Sequence, residues 1–205
     1  IMLKAIILFL LIDASYCQSK WIKTFGADEV DGANHVLPLD DGFLLTGFTN
    51  SFGNGGNDLW VIRTDKNMKK VWDKFYGGMH LETGLKSIQT SDGGFIILGQ
   101  TYSYGAGSGD IWVLKISDSG ILLWDKTYGN ENLDLGVDIC ASNDDGYMIV
   151  GTTHSKKTNS LDAYVIKIDS IGNIIWDQVY GGLLEDGLNS ISKINDEYGY
   201  MLFGY

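Results

Sequence analysis

Four acids, Asp31, Glu82, Asp134 and Asp186, recur at separations of 51, 52 and 52 residues, and a second series, Asp58, Asp110 and Asp162, recurs at separations of 52. Brought to one axis, either series would form a carboxylate ring able to hold cations. An acid at the same strand start in every repeat is also what a turn-holding hydrogen bond produces, and that structural role is the expectation here. No repeat contains the closely spaced Asp/Asn run of a calcium loop. The three histidines, His35, His80 and His154, occupy three different repeat positions, and no pair has metal-ligand spacing. Cys140 has no repeated His near it and reads as a buried, inert thiol. No catalytic, metal or cofactor residue is assigned, and an enzyme is not expected.

The elements that must carry these acids repeat with them. Trp21, Trp72, Trp124 and Trp176 open successive units of about 52 residues. Within each unit come the acid, a Gly-aromatic apolar run such as "GFIILGQT" (94–101), an Asp-led run such as "DIWVLKI" (110–116), and a short turn leading to the next Trp. All runs are six to eight residues long and bounded by Gly, Asn, Asp or Ser, which is strand and turn chemistry. The 27 glycines against one proline, Pro38, fit many tight turns between strands that use every backbone donor. Runs that are apolar on consecutive residues predict strands buried on both faces. A four-stranded sheet covered on both faces by copies of itself is a blade. The fold class expected is therefore all-β, a β-propeller of four-stranded antiparallel blades.

Small and polar side chains (Ser87, Ala141, Ser142, Ser190) place the segment after each acid on the innermost strand, and the Trp segment on the outermost one, where blades splay apart. Residues 21–26, "WIKTFG", are expected as a lone outermost strand that closes the ring. The fourth repeat stops after two strands, at Tyr205, so an incomplete ring with an unpaired strand edge, cut from a longer protein, is expected. Met68 stands where the other units have Gly120 and Gly172, which predicts a looser turn there.

Two domains are read from the chain: a signal peptide at 1–17 and the propeller at 18–205. The apolar run from Ala5 to Ile12 behind Lys4 is too short to span a bilayer as a helix and suits a secretory leader, with Ser15 and Cys17 small enough for cleavage before Gln18. A buried N-terminal strand or helix, and a lipoprotein acylated at Cys17, are the alternatives; against the second, Tyr16 is bulky where a small residue is required. Cleavage would leave Cys140 as the sole cysteine, no internal disulfide and no membrane span. Secreted, periplasmic or cell-surface placement follows. The net charge of −11 argues against a nucleic-acid partner.

"IDSIGNIIW" (168–176) and "ISDSGILLW" (116–124) resemble the Asp, Gly, Trp docking motif of quinoprotein-type propellers, and the whole unit is similar to β-propeller repeats of bacterial and archaeal surface proteins. The resemblance covers residues 21–205. It implies a Gly turn leading into a Trp that packs on the neighbouring blade. It implies no cofactor, because none of the cofactor-holding residues of quinoprotein dehydrogenases can be matched here.

The loops between second and third strands, "NSFGNGGND" (50–58), "YSYGAGSGD" (102–110) and "HSKKTNSLD" (154–162), are the candidate ligand-binding loops, with Phe52, Asn54, Tyr102, Tyr104 and His154 as their candidate contacts. The functional expectation is a non-catalytic exported binding or scaffold module for protein or carbohydrate. The alternative is a truncated propeller enzyme, quinoprotein-like oxidoreductase or hydrolase, with its catalytic residues in blades outside this sequence. A lectin with one sugar pocket per blade would require Trp60, Trp112 and Tyr164 to be reachable from solvent.

Overall fold

The structure is a computed structural model that describes residues 22–156, 158–195 and 199–205. The leader read at 1–17 and the first repeat tryptophan, Trp21, lie outside the described residues. Fourteen strands and no helix are present among them. Strands β1 (Asp31–Leu39), β2 (Gly42–Thr49), β3 (Asp58–Asp65) and β4 (Lys70–Tyr76) form one antiparallel four-stranded sheet in sequential order. Strands β5 (Glu82–Gln89), β6 (Phe95–Thr101), β7 (Asp110–Ile116) and β8 (Leu122–Tyr128) form the second. The third comprises β9 (Asp134–Ala141), β10 (Tyr147–Ser155), β11 (Ser160–Ile168) and β12 (Ile174–Tyr180), and β13 (Leu188–Asn195) pairs with β14 (Gly199–Gly204) in a two-stranded sheet. The chain is thus a succession of sequential antiparallel sheets compatible with propeller blades, without a closed ring among the described residues. No helix among them is long and apolar enough to cross a membrane, which says nothing of a β-barrel.

Sheet-on-sheet burial explains the consecutive apolar runs. Every residue of β6 and β7 is buried, because Phe95, Ile97, Trp112 and Leu114 face the first sheet while Ile96, Leu98, Ile111 and Val113 face the third. The first strands β1, β5, β9 and β13 lie side by side in that order, and the fourth strands make no comparable approach. Side chains fill the wider outer space. Trp72 packs over the turn at Gly120 and donates its indole N–H to the Asp118 carbonyl at 3.0 Å, and the Tyr76 hydroxyl donates to the Gly120 carbonyl at 2.7 Å. One sheet on, Trp124 covers the Gly172 turn and Tyr128 donates to the Gly172 carbonyl at 2.7 Å. Both turn glycines sit at positive φ, 75° and 84°.

Two expectations are corrected at the first sheet. Residues 22–26 are not a strand: a strand needs a partner for its backbone N–H and C=O groups, and none pairs with it among the described residues. Phe25 instead packs with Leu45, Trp60, Ile62 and Met68, at the repeat position held by Tyr76 and Tyr128. The turn at Met68 is not loose. Met68 adopts the same left-handed conformation (φ 58°) as the glycines it replaces, its N–H closes onto the Asp65 carbonyl at 3.0 Å, and its side chain is fully buried. The exchange is coherent, since Phe25 has no hydroxyl to offer a turn carbonyl and Met68 meets its ring with apolar surface instead.

Each four-stranded sheet is also clamped at its first hairpin by a buried cation that the sequence did not single out. Arg63 pairs with Asp41, Lys115 with Asp92 at 2.7 Å, and Lys167 with Asp144 at 2.6 Å. The cations are buried and the carboxylates exposed. The ammonium groups hold the Asp92 and Asp144 carboxyls well below the usual carboxylate range.

Candidate binding face

In a sequential antiparallel sheet, the loops between second and third strands and the connections to the next sheet emerge at the same end. That end carries loops 50–57, 102–109 and 156–159 and connections 77–81, 129–133 and 181–187. Both acid series stand there, and the structure shows how each is used.

The first series holds the sheet-to-sheet connection. Asp31 accepts the Ala27 N–H at 3.0 Å, Glu82 the Gly78 N–H at 2.7 Å, Asp134 the Asn130 N–H at 2.7 Å and Asp186 the Gly182 N–H at 2.8 Å. A threonine at the same repeat position of each second strand, Thr49, Thr101 or Thr153, donates to the same carboxylate. The second series closes the neighbouring loop: Asp58 accepts the Asn54 N–H at 2.8 Å, Asp110 the Gly107 N–H at 3.1 Å, and Asp162 the Thr158 hydroxyl at 2.7 Å. Asn54 therefore contributes through its backbone. The two series converge on the connecting glycines. A Cβ on Gly77 would stand 2.2 Å from Asp58 Oδ1 and 2.7 Å from Glu82 Oε2, and one on Gly129 2.7 Å from Asp110 Oδ1 and 2.5 Å from Asp134 Oδ2.

Burial raises the carboxyl pKa of Asp58, Asp110 and Asp134, and the facing acid adds to this at Asp58 and Asp134. Asp31 goes the other way: burial works against its charge, but the Thr49 and Ser51 hydroxyls and the Ala27 N–H outweigh it and lower its pKa. Asp58, Asp110 and Asp134 at the loop end therefore answer acid with the opposite sign to Asp92 and Asp144 at the hairpin end, and Asp31 sides with the latter pair. An acid raised above its unfolded value contributes more stability as pH falls through the folded pKa, whereas one held below it, such as Asp92, loses its contribution as pH falls below the ordinary 3.8. Thermal midpoints measured from pH about 7 down to about 3 are expected to show this split. Asp110→Asn flattens the acid-side gain of the parent, and Asp92→Asn removes part of its acid-side loss.

The aromatic candidates separate into two kinds. Phe52 packs at a tilt against Trp60 and Phe75, with centroids 6.1 and 5.4 Å away, and Tyr104 leans on Trp112 at 5.5 Å while its hydroxyl donates to the Gly77 carbonyl at 2.9 Å. Both rings are tied to the scaffold. Tyr102 is 42% exposed and lines an open groove of about 460 Å³ with Gly56, Met79, His80 and Leu81. Trp60, Trp112 and Tyr164 are buried, with polar atoms turned to Asp73, Asp125 and Asp177, the residues after Trp72, Trp124 and Trp176. They are not open to a sugar.

His154 requires a correction, because it is not in a loop. Strand β10 runs to Ser155 and β11 begins at Ser160, so His154 pairs with Leu161 inside the hairpin. Unlike loops 50–57 and 102–109, this stretch has no glycine and closes tightly through Asn159 at φ 56°. His80, passed over in the sequence, reaches the groove instead.

Sequence reasoning also missed a polar row on the first strands. His35, Lys86, Asp138 and Ser190 are separated by 51, 52 and 52 residues, and each follows a register irregularity in its strand. Lys86 pairs with Asp138, whose Oδ2 accepts from Ser190 Oγ at 3.2 Å and from the Ile191 N–H at 2.9 Å. His35 Nδ1 accepts the Ser87 N–H at 3.2 Å, leaving the ring proton on Nε2. The bulge turns His35, Lys86 and Asp138 toward the next first strand, so the row ties the sheets together where they lie closest. One aligned position at which residue type changes in every unit was the signal that could have revealed it. The Cys140 thiol on β9 has its pKa pushed up to about 11 by burial and the nearby Asp138, as an inert thiol requires.

Burial and then the Lys86 charge lower the His35 pKa, against a smaller opposing effect of Asp138. A histidine depressed below its unfolded value contributes stability above about 6.5 and loses it as pH falls toward the folded pKa. His35→Gln, which keeps an acceptor but cannot titrate, is expected to show a shallower loss of thermal midpoint than the parent between pH about 7 and about 5. An unchanged slope would remove His35 from this role.

Comparison of the chain with protein-family models and with curated proteins returns no match.

Proposed function

We propose that this chain is an exported, non-catalytic propeller of the quinoprotein-like repeat type that serves as a binding or scaffold module, presenting the loop end of its sheets to protein or carbohydrate. The observation that carries this reading is a division of labour at that end. Its repeated acids are bonded to backbone N–H groups and hydroxyls of the turns they hold, while Met79, Leu81 and Tyr102 stand uncovered around a groove. Polar groups engaged in scaffolding are poor candidates for proton transfer, and exposed apolar side chains grouped around a concavity are what recognition uses. The apolar run behind Lys4 supports export.

Incubation of the full chain with panels of glycans and surface proteins tests the reading. Binding that falls at least about tenfold on Tyr102→Ala is expected. Turnover of a substrate without binding to either panel would overturn it.

A further inference from the structure

The partner can be narrowed from the charge and apolar pattern of the same face, an inference that rests on the binding reading above. At the loop end several carboxylates are exposed: Asp28 and Glu29 on the segment that meets loop 50–57, where the Glu29 N–H bonds Ser51, and Glu131 and Glu185 on the next two connections. Both acid series lie just beneath, at Asp58 and Glu82 under the groove and at Asp110 and Asp134 under the following connection. Among the described residues of loops 50–57, 102–109 and 156–159 and connections 77–81, 129–133 and 181–187 the one Lys or Arg is Lys156, engaged by Glu131 at 2.7 Å, and the segment that carries Asp28 and Glu29 holds Lys23. The buried cations Arg63, Lys115 and Lys167 are held by carboxylates of the hairpins at the opposite end. Negative charge is therefore concentrated on the face that carries the groove.

The groove itself is lined mainly by apolar side chains. Met79 is 82% and Leu81 51% exposed, and Tyr102 forms a third wall with His80 beside it. The corresponding connection two sheets on exposes Leu183 and Leu184, 88% and 81%. Glycan recognition needs several convergent, free hydrogen-bonding side chains, yet the carboxylates under this face are bonded to their own turns. An apolar anchor seated among Met79, Leu81 and Tyr102 gains burial without asking for such groups. Cationic residues beside that anchor gain from the acids around it, in on-rate above all.

We infer that this face docks a cationic polypeptide segment, with an apolar side chain seated in the Met79–Leu81–Tyr102 groove and Lys or Arg residues set against the surrounding carboxylates. The probes are a synthetic peptide of alternating Lys and Leu, its Glu and Leu counterpart, and two neutral oligosaccharides, cellohexaose and maltohexaose. Binding to the full chain is followed by fluorescence anisotropy or calorimetry. The Lys-Leu peptide is expected to bind and to weaken as salt rises, and the Glu-Leu peptide and sugars are expected not to bind. The double variant Met79→Ser, Leu81→Ser should lose at least about tenfold in affinity, while Trp176→Ser, which alters an exposed apolar site on the distant β12, should leave it unchanged. Circular dichroism of each variant checks that the sheets are intact. Lys-Leu binding that survives the double variant, or that falls equally with Trp176→Ser, overturns the inference. Sugar binding lost on Tyr102→Ala also overturns it while leaving the binding-module reading standing. Failure of every peptide, sugar and surface-protein probe overturns both.

Discussion

Replacing Gly151 with valine is expected to lower the thermal midpoint by about 10 °C or more, a loss of at least about 4 kcal/mol for a chain of this size. Gly151 lies in β10 opposite the irregularity in β9, where the register jumps between Val150 and its neighbour. The bulge pushes the Leu135 carbonyl over the glycine so closely that a Cβ would stand 1.8 Å from its oxygen. Backbone, not a movable side chain, occupies the space, so the clash is relieved only by undoing the bulge. Undoing it turns Asp138 away from Lys86 and Ile191. Two costs therefore add: a strained strand pair and the loss of a half-buried ion pair with its N–H partner. The control is Gly93→Ala, at φ 82° with no atom within 4 Å of the new methyl, which should cost only the left-handed penalty of about 1–2 kcal/mol. Calorimetry or circular dichroism decides it. A Gly151→Val loss no larger than that of Gly93→Ala would show that the bulge does not order these sheets.

The second large effect separates tryptophans that are alike in sequence. Trp124→Ala is expected to cost about 3–5 kcal/mol, and Trp176→Ala no more than about 1 kcal/mol. Trp124 packs against the core between the second and third sheets and covers the Gly172 turn, where a Cβ would come within 2.9 Å of its ring. Removing it leaves a gap beside a left-handed turn that cannot close over it. Trp176 sits at the same repeat position but is 44% exposed, with Ile174, Val179 and Tyr180 exposed beside it on β12. Thermal unfolding of the two variants in parallel measures the difference. Equal losses would mean that the ring matters through its own sheet rather than through the turn it covers.

Much of this architecture was legible in the residues. The 52-residue recurrence, the consecutive apolar runs and the Gly-bounded turns predicted sequential four-stranded sheets, with the acid at the inner strand start and the tryptophan outermost. The turn-holding role of Asp31, Glu82 and Asp134 was also readable, because an invariant acid before a strand has few other uses. Less was visible at the charged strand residues. Lys115 and Lys167 read locally as polar positions near a strand end, and the hairpin aspartates they grip lie 23 residues away in each case. His154 was misplaced by ±2 residues of strand boundary, a distance over which sequence signals blur. The candidate groove was half seen: Tyr102 was identified from its loop, but Met79, His80 and Leu81 come from a connection that only the next sheet brings alongside.

Periodicity is a local property, carried by which side chains alternate and where glycine breaks the run, so the residues alone determined the repeating sheets, their strand order and the turn chemistry. Tertiary structure decided what each repeat position meets. Whether a tryptophan covers a turn or faces solvent, whether Met68 can stand for glycine, and which unlike residues meet along the first strands all depend on the neighbouring sheet. Equivalent residues in sequence thus acquire different energies and roles, because packing and electrostatics act through space between sheets while the repeat is written along the chain.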